Sequence, residues 1–153
     1  YESPAPLEGE ALWRELVAKG EALFHRIAVL LDADGGTISK EELVQLFERT
    51  KELGLEALIE VHDSQELEIA NEIGGEIIGI NSRNLKTLAI DLRTTEELLP
   101  LCSTECVKVA ESGIFSPQDA QRMARAGADA ILVGSSLMLS DHPGDALEAL
   151  RCG

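Results

Sequence analysis

The stretch CVKVAESGIFSPQDAQRMARAGADAILVGSS, residues 106–136, holds the pattern on which the fold reading turns. A short apolar run, VKVA, ends in Glu111, Ser112 and Gly113. Ser116 and Pro117 then open a helix pattern, a side-chain cap followed by a ring already set at helical φ. The pattern stops at Gly127, where a residue without a Cβ turns into the left-handed region at no steric cost. After Ala128 and Asp129 a second apolar run, AILVG, ends in Gly134, Ser135 and Ser136. Both runs are rich in Ile, Val, Leu and Ala and lack strict alternation, as strands of a parallel sheet covered on both faces do.

The same unit recurs to either side. EELVQLFERTKELG (41–54) feeds LEALIEVHD (55–63), SQELEIANEIGG (64–75) feeds EIIGINSRN (76–84), and ALWRELVAKG (11–20) feeds EALFHRIAVLL (21–31). A further helix pattern, TTEELLPLC (94–102), precedes residue 106 without a glycine cap. Ser39 with Glu42, Asp63 with Glu66 and Thr94 with Glu97 have the spacing at which a cap oxygen and a carboxylate satisfy the first N–H groups of a helix. Repeated strand and helix units of this size build an open doubly wound sheet or a closed (β/α) barrel, and periodicity alone does not choose between them.

Bulk properties narrow the function. The 153 residues suit one domain with its own core. With 28 acidic against 13 basic residues the net charge is -15, and the few cations are scattered, so nucleic acid and anionic lipid are disfavoured partners. Cys102, Cys106 and Cys152 are odd in number and lack paired spacing, which favours a reducing compartment over a disulfide framework or a zinc site. No apolar run reaches the roughly 18 residues of a membrane span, and YESPAPLEGE at the start has no signal-peptide character. The expected setting is the cytoplasm, or a plastid. A first residue of Tyr1 in place of Met suggests a processed, truncated or partial chain.

In both architectures ligands bind where strands end, so the polar residues there are the candidate site. They are Glu60 and His62, Asn81 and Arg83, Glu111 with Ser112 and Gly113, and Gly134 with Ser135 and Ser136. Carboxylates, an amide and a guanidinium converging on one rim can hold a polar substrate and move protons. The two glycine-serine pairs suit a phosphate held by backbone N–H groups, and such a site after the last two strands is a habit of the barrel, which favours the barrel. Plainer readings stand beside these. A Glu ending a buried strand can be a structural ion-pair member, with Arg83 as its partner, and His62 can be structural or exposed. DADGGTISKEEL (32–43) has the look of a calcium loop, yet Thr37 stands where the obligatory Gly belongs and Leu43 where the bidentate Glu belongs. Only a one-residue deletion would bring Glu42 into register.

Taken together, LGLEALIEVHD (53–63), IIGINSRNLKTLAIDL (77–92), VAESGIFSPQDAQRMARAGADAILVGSSLM (109–138) and DHPGDAL (141–147) resemble indole-3-glycerol-phosphate synthase in order and spacing. The likeness spans about residues 41–150, with AKGEALFHRIAVLLDAD (18–34) a weaker version of the family's fourth strand and residues 1–19 matching poorly. It implies an incomplete TIM-type barrel of about five parallel β/α units over residues 20–153, the fourth to eighth strands of eight. It also implies a lyase of tryptophan biosynthesis that needs no cofactor or metal and acts on a phosphorylated small molecule, 1-(2-carboxyphenylamino)-1-deoxyribulose 5-phosphate, by ring closure and loss of CO2 and water.

Carried over by motif, Glu60, Asn81 and Glu111 take catalytic roles. Arg83, Ser112, Gly113, Gly134 and Ser135 bind substrate, the last four its phosphate. Ser82 stands where the family more often has Asn. The family's two catalytic lysines and a further glutamate lie on its first and third strands, which have no counterpart here. The expectation is a weak or inactive enzyme as an isolated chain, open to a complementary half-barrel or to self-association through uncovered sheet edges. Two other readings remain at this level, an isomerase with the same phosphate grip and a non-catalytic assembly or calcium-binding module.

Overall fold

The computed structural model describes Ile27–Val29 and residues 39–151. Among the described residues five strands run in the order β1 (Ile27–Val29), β2 (Glu56–Val61), β3 (Ile77–Asn81), β4 (Val107–Glu111) and β5 (Ala130–Leu132). Each pairs in parallel with the next in sequence. A doubly wound sheet reverses its strand order part-way, whereas a barrel adds strands in sequence. The observed order has no reversal, so the fold is an incomplete (β/α) barrel.

Helices α1 (Lys40–Glu52), α2 (Ser64–Glu72), α3 (Leu92–Leu98), α4 (Pro117–Ala126), α5 (Ser135–Met138) and α6 (Pro143–Arg151) fill the intervals. Their starts follow from local chemistry. Ser39 and Ser116 form full capping boxes with Glu42 and Asp119, and Asp63 accepts from the N–H groups of Gln65 and Glu66. The cap expected at Thr94 lies elsewhere. Asp91 caps α3, accepting from Arg93 N–H while its carboxylate grips the Arg93 guanidinium at 2.6 Å, and Thr94 sits inside the helix. Gly54 and Gly127, at φ 71° and 104°, turn the chain out of α1 and α4 as predicted.

One face of the sheet packs on these helices. Ala57, Ile59, Val61, Ile78 and Ile80 meet Leu43 and Phe47 of α1, Leu67 and Ala70 of α2, and Leu98 at the end of α3 with Leu99 just beyond it. A second cluster joins Ala110 to Ala120, Met123 and Leu150. The alternate residues Leu58, Glu60, Gly79, Asn81, Val109, Glu111 and Leu132 occupy the other face, which in a barrel is the interior. Burial on both faces holds for Leu58 and Val109 but not for Val107 and Leu132, which are about half exposed on that face. The helix expected to end at Gly20, with Cys152 and the aspartates of the calcium-like loop, lies outside the described residues.

Candidate active site

Register builds the centre of the site. Glu60 on β2 pairs across to Gly79 on β3, and Asn81 on β3 pairs to Glu111 on β4, so all four lie on the interior face in two adjacent rows at the strand ends. Asn81 Nδ2 donates to Glu60 Oε1 at 2.7 Å, and Asn81 Oδ1 accepts from Arg83 N–H at 2.9 Å. Both ends of the amide are therefore committed, which fixes its orientation. His62 lies between two carboxylates. Its Nδ1 is 3.2 Å from Glu66 Oε2, and its Nε2 is 3.2 Å from Glu60 Oε1 without hydrogen-bond alignment. Glu66 also accepts from His62 N–H at 2.7 Å, which anchors the chain as it leaves β2.

Glu111 is 4% exposed, and its Oε1 is buried with no donor to accept from. Burial, then the charge of Glu60 beside it, then a hydrogen bond with Glu60 push its carboxyl up to about 7. A protonated Glu111 resolves the orphaned acceptor, because its O–H can donate to Glu60. Glu111 therefore keeps its proton more readily than an ordinary glutamate, beside a second carboxyl, an arrangement suited to acid-base work.

The outer rim has a different character. Arg83 enters the loop after β3, is half-buried, and bridges to Ile90; among the described residues no carboxylate holds its guanidinium. The reading of Arg83 as an ion partner of Glu60 or Glu111 therefore fails. Ser112 and Gly113 follow β4 in left-handed backbone, at φ 62° and 78°. A Cβ on Gly113 would lie 2.6 Å from Ile90 Cγ2 and 3.0 Å from Leu92 Cδ2, so this glycine lets the loop after β3 close over the end of β4.

Gly134 heads α5 with open space around it, Ser135 is exposed, and Ser136 Oγ is buried without a partner. The first N–H groups of a helix have no acceptor within it and face whatever approaches that end. Exposed apolar side chains stand at the same rim, Leu88 and Phe115 on the loops after β3 and β4 and Met138 at the end of α5. Among the described residues no group of His, Cys, Asp and Glu could hold a metal ion. Glu42, the residue the calcium reading would need, is spent on its capping box, accepting from Ser39 N–H at 3.0 Å.

Comparison with known proteins places the chain in a family. A family model described as indole-3-glycerol phosphate synthase matches residues 28–150. The indole-3-glycerol phosphate synthase of a Nocardioides species is 45% identical over 136 residues, covering 89% of this chain and 50% of that protein. That of Bacillus mycoides is 50% identical over 104 residues, covering 67% of this chain and 41% of that protein. The chain thus spans half or less of these relatives' own length. Among solved structures, thiamine phosphate pyrophosphorylase from Pyrococcus furiosus superposes with a TM-score of 0.59 at 22% identity, covering 82% of this chain and 56% of that one, a likeness of fold alone. With the barrel order, the family's match across nearly every described residue and relatives at this identity, the chain belongs to the indole-3-glycerol phosphate synthase family.

Proposed function

We propose that residues 20–153 are the C-terminal part of an indole-3-glycerol phosphate synthase barrel, with residues 1–19 outside it. The rim then holds and converts 1-(2-carboxyphenylamino)-1-deoxyribulose 5-phosphate in a cytoplasmic or plastid setting. The observation that carries this reading is the cluster of Glu60, Asn81 and Glu111 on neighbouring rows of the interior face, with Asn81 donating to Glu60 and the Glu111 carboxyl buried. Ser112, Gly113, Gly134 and Ser135 hold the phosphate at the ends of β4 and β5. Arg83, uncommitted to any carboxylate of the described residues, pairs with the substrate carboxylate. The exposed apolar side chains of the same rim suit the aromatic ring.

The chemistry assigns the proton movements. Ring closure joins the aromatic carbon bearing the carboxylate to the ribulose carbonyl carbon, whose oxygen takes up a proton. Loss of CO2 restores the aromatic ring. Loss of water then needs a proton on the leaving hydroxyl and removal of one from the neighbouring carbon. Glu60 accepts that proton, Glu111 in its protonated form contacts the substrate hydroxyls as a donor, and Asn81 holds Glu60 in place. The acid of the first step comes from the lysines implied for the family's first and third strands, supplied by a complementary half-barrel on the same polypeptide or another. No cofactor takes part.

The test is calorimetric titration of the 153-residue chain with indole-3-glycerol phosphate, beside a variant carrying Ser112→Ala and Ser135→Ala. Saturable binding that weakens about tenfold or more in the variant is the expected result, since each lost hydrogen bond to a charged group is worth roughly 1.5–3 kcal/mol. Absence of binding by a demonstrably folded chain overturns the reading.

A further inference from the structure

Gly79 stands in the middle of β3 in the run IIGIN, where it surrenders the packing that Val or Ile would give a buried strand. Its backbone does not require glycine, because Gly79 is absent from the positions of positive φ. Space requires it instead. A Cβ at residue 79 would lie 1.8 Å from Glu111 Oε1 and 2.9 Å from Glu111 Cδ, with Leu58 Cδ1 at 3.2 Å. The Glu111 carboxyl therefore lies over the Gly79 backbone.

Register explains why it must. Glu60 and Glu111 stand on strands separated by β3, and neighbouring strands lie about 4.8 Å apart, so their backbones are roughly 10 Å from each other. Glu111 also starts one row further along, opposite Asn81 where Glu60 is opposite Gly79. The two carboxyls meet only if Glu111 falls back across the central strand, through the position any side chain at residue 79 would fill. We propose that Gly79 is a positioning residue, its missing side chain being the space through which Glu111 reaches Glu60 to form one proton-sharing pair. The inference rests on the reading of Glu60 and Glu111 as the acid-base pair of the site. Around Glu111, β2 brings Glu60, with His62 in contact with it, β3 brings Gly79 and Asn81, and β5 brings Leu132; Glu60 is the ionisable group acting on it.

The deciding experiment follows the glutamate carboxyl carbons by NMR from pH 4 to 9 in the ligand-free chain, with Glu111 assigned by its disappearance in Glu111→Gln. In the native chain the Glu111 midpoint is expected well above that of an ordinary glutamate, at about 7. In folded Gly79→Ala its midpoint is expected to fall by about one pH unit or more, the size of a lost neighbouring charge and burial. An unchanged midpoint in folded Gly79→Ala overturns the proposal. Should Gly79→Ala fail to fold, Gly79→Ala with Glu111→Asp decides, because the acid shortened by one methylene withdraws from the added methyl. Recovery of a cooperative thermal transition in the double variant supports the proposal, and no recovery overturns it. These readouts need no ligand, so a chain that shows the expected titration yet does not bind indole-3-glycerol phosphate fails the functional reading and keeps the geometry of Gly79.

Discussion

Replacing Glu111 by Gln should remove a pH dependence of folding that runs opposite to the usual carboxylate. A salt-bridged carboxylate has its titration lowered and stabilises the fold at higher pH. Glu111 is raised instead, from an ordinary 4.5 to about 7, by burial first and by the charge of Glu60 second. The folded state thus holds this proton more tightly than the unfolded state. Its contribution is fully present below 4.5 and is lost as the pH rises through about 7. At about 1.4 kcal/mol per pH unit the gap amounts to about 3 kcal/mol. Gln has nearly the same shape, cannot ionise, and can donate to Glu60 as the protonated acid does. Urea unfolding of both proteins at pH 5 and pH 8 isolates the effect, because the other acidic groups titrate in both and cancel in the difference. The variant should match the native chain at pH 5 and exceed it by about 2–3 kcal/mol at pH 8. An equal difference at both pH values, or a variant less stable at pH 8, would refute the assignment of Glu111 as a buried acid held protonated beside Glu60.

Ser112→Gly should raise the thermal midpoint while weakening indole-3-glycerol phosphate binding. The left-handed backbone at φ 62° costs an L side chain about 1–2 kcal/mol, part of which glycine's greater unfolded freedom offsets, for a net gain of about 0.5–1 kcal/mol. Opposite signs for stability and binding are the mark of strain kept at a working position, and a lowered midpoint would count against it. Met123→Ala should cost about 2–5 kcal/mol in urea unfolding, because Met123 is 0% exposed in the cluster that ties α4 and α6 to β4. A loss below about 1 kcal/mol would mean that this cluster repacks freely.

How far the sequence shows this structure depends on whether the deciding interaction is local. Ser39 and Ser116 could be read as caps because their capping boxes close within four residues, and Gly54 and Gly127 as stops because a left-handed cap needs only its own backbone. Thr94 with Glu97 satisfied the same spacing and misled. The true cap, Asp91, follows a loop folded back by the bridge from Arg83 to Ile90, and that bridge has no signature in spacing. Strand order was the open question of the fold, since helical and strand periods are the same in a doubly wound sheet and in a barrel. Only the unbroken sequence of pairings from β1 to β5 separates them.

The site divides in the same way. That Glu60, Asn81 and Glu111 stand at strand ends was legible, but their union needs the register of three strands, which fixes the row each side chain occupies. His62 could be read as structural, yet its place between Glu60 and Glu66 emerges only when the end of β2 and the first turn of α2 are set in space. Gly79 did leave a trace, an isolated glycine inside the apolar run EIIGI, where such a residue signals a bulge or a close approach. No bulge interrupts the pairing of β3 with either neighbour, so close approach is what remains, and the atom that approaches is Glu111 Oε1. The irregularity in the strand and the raised carboxyl are therefore one feature: a side chain given up on β3 so that the carboxyl on β4 can lie across it toward the one on β2.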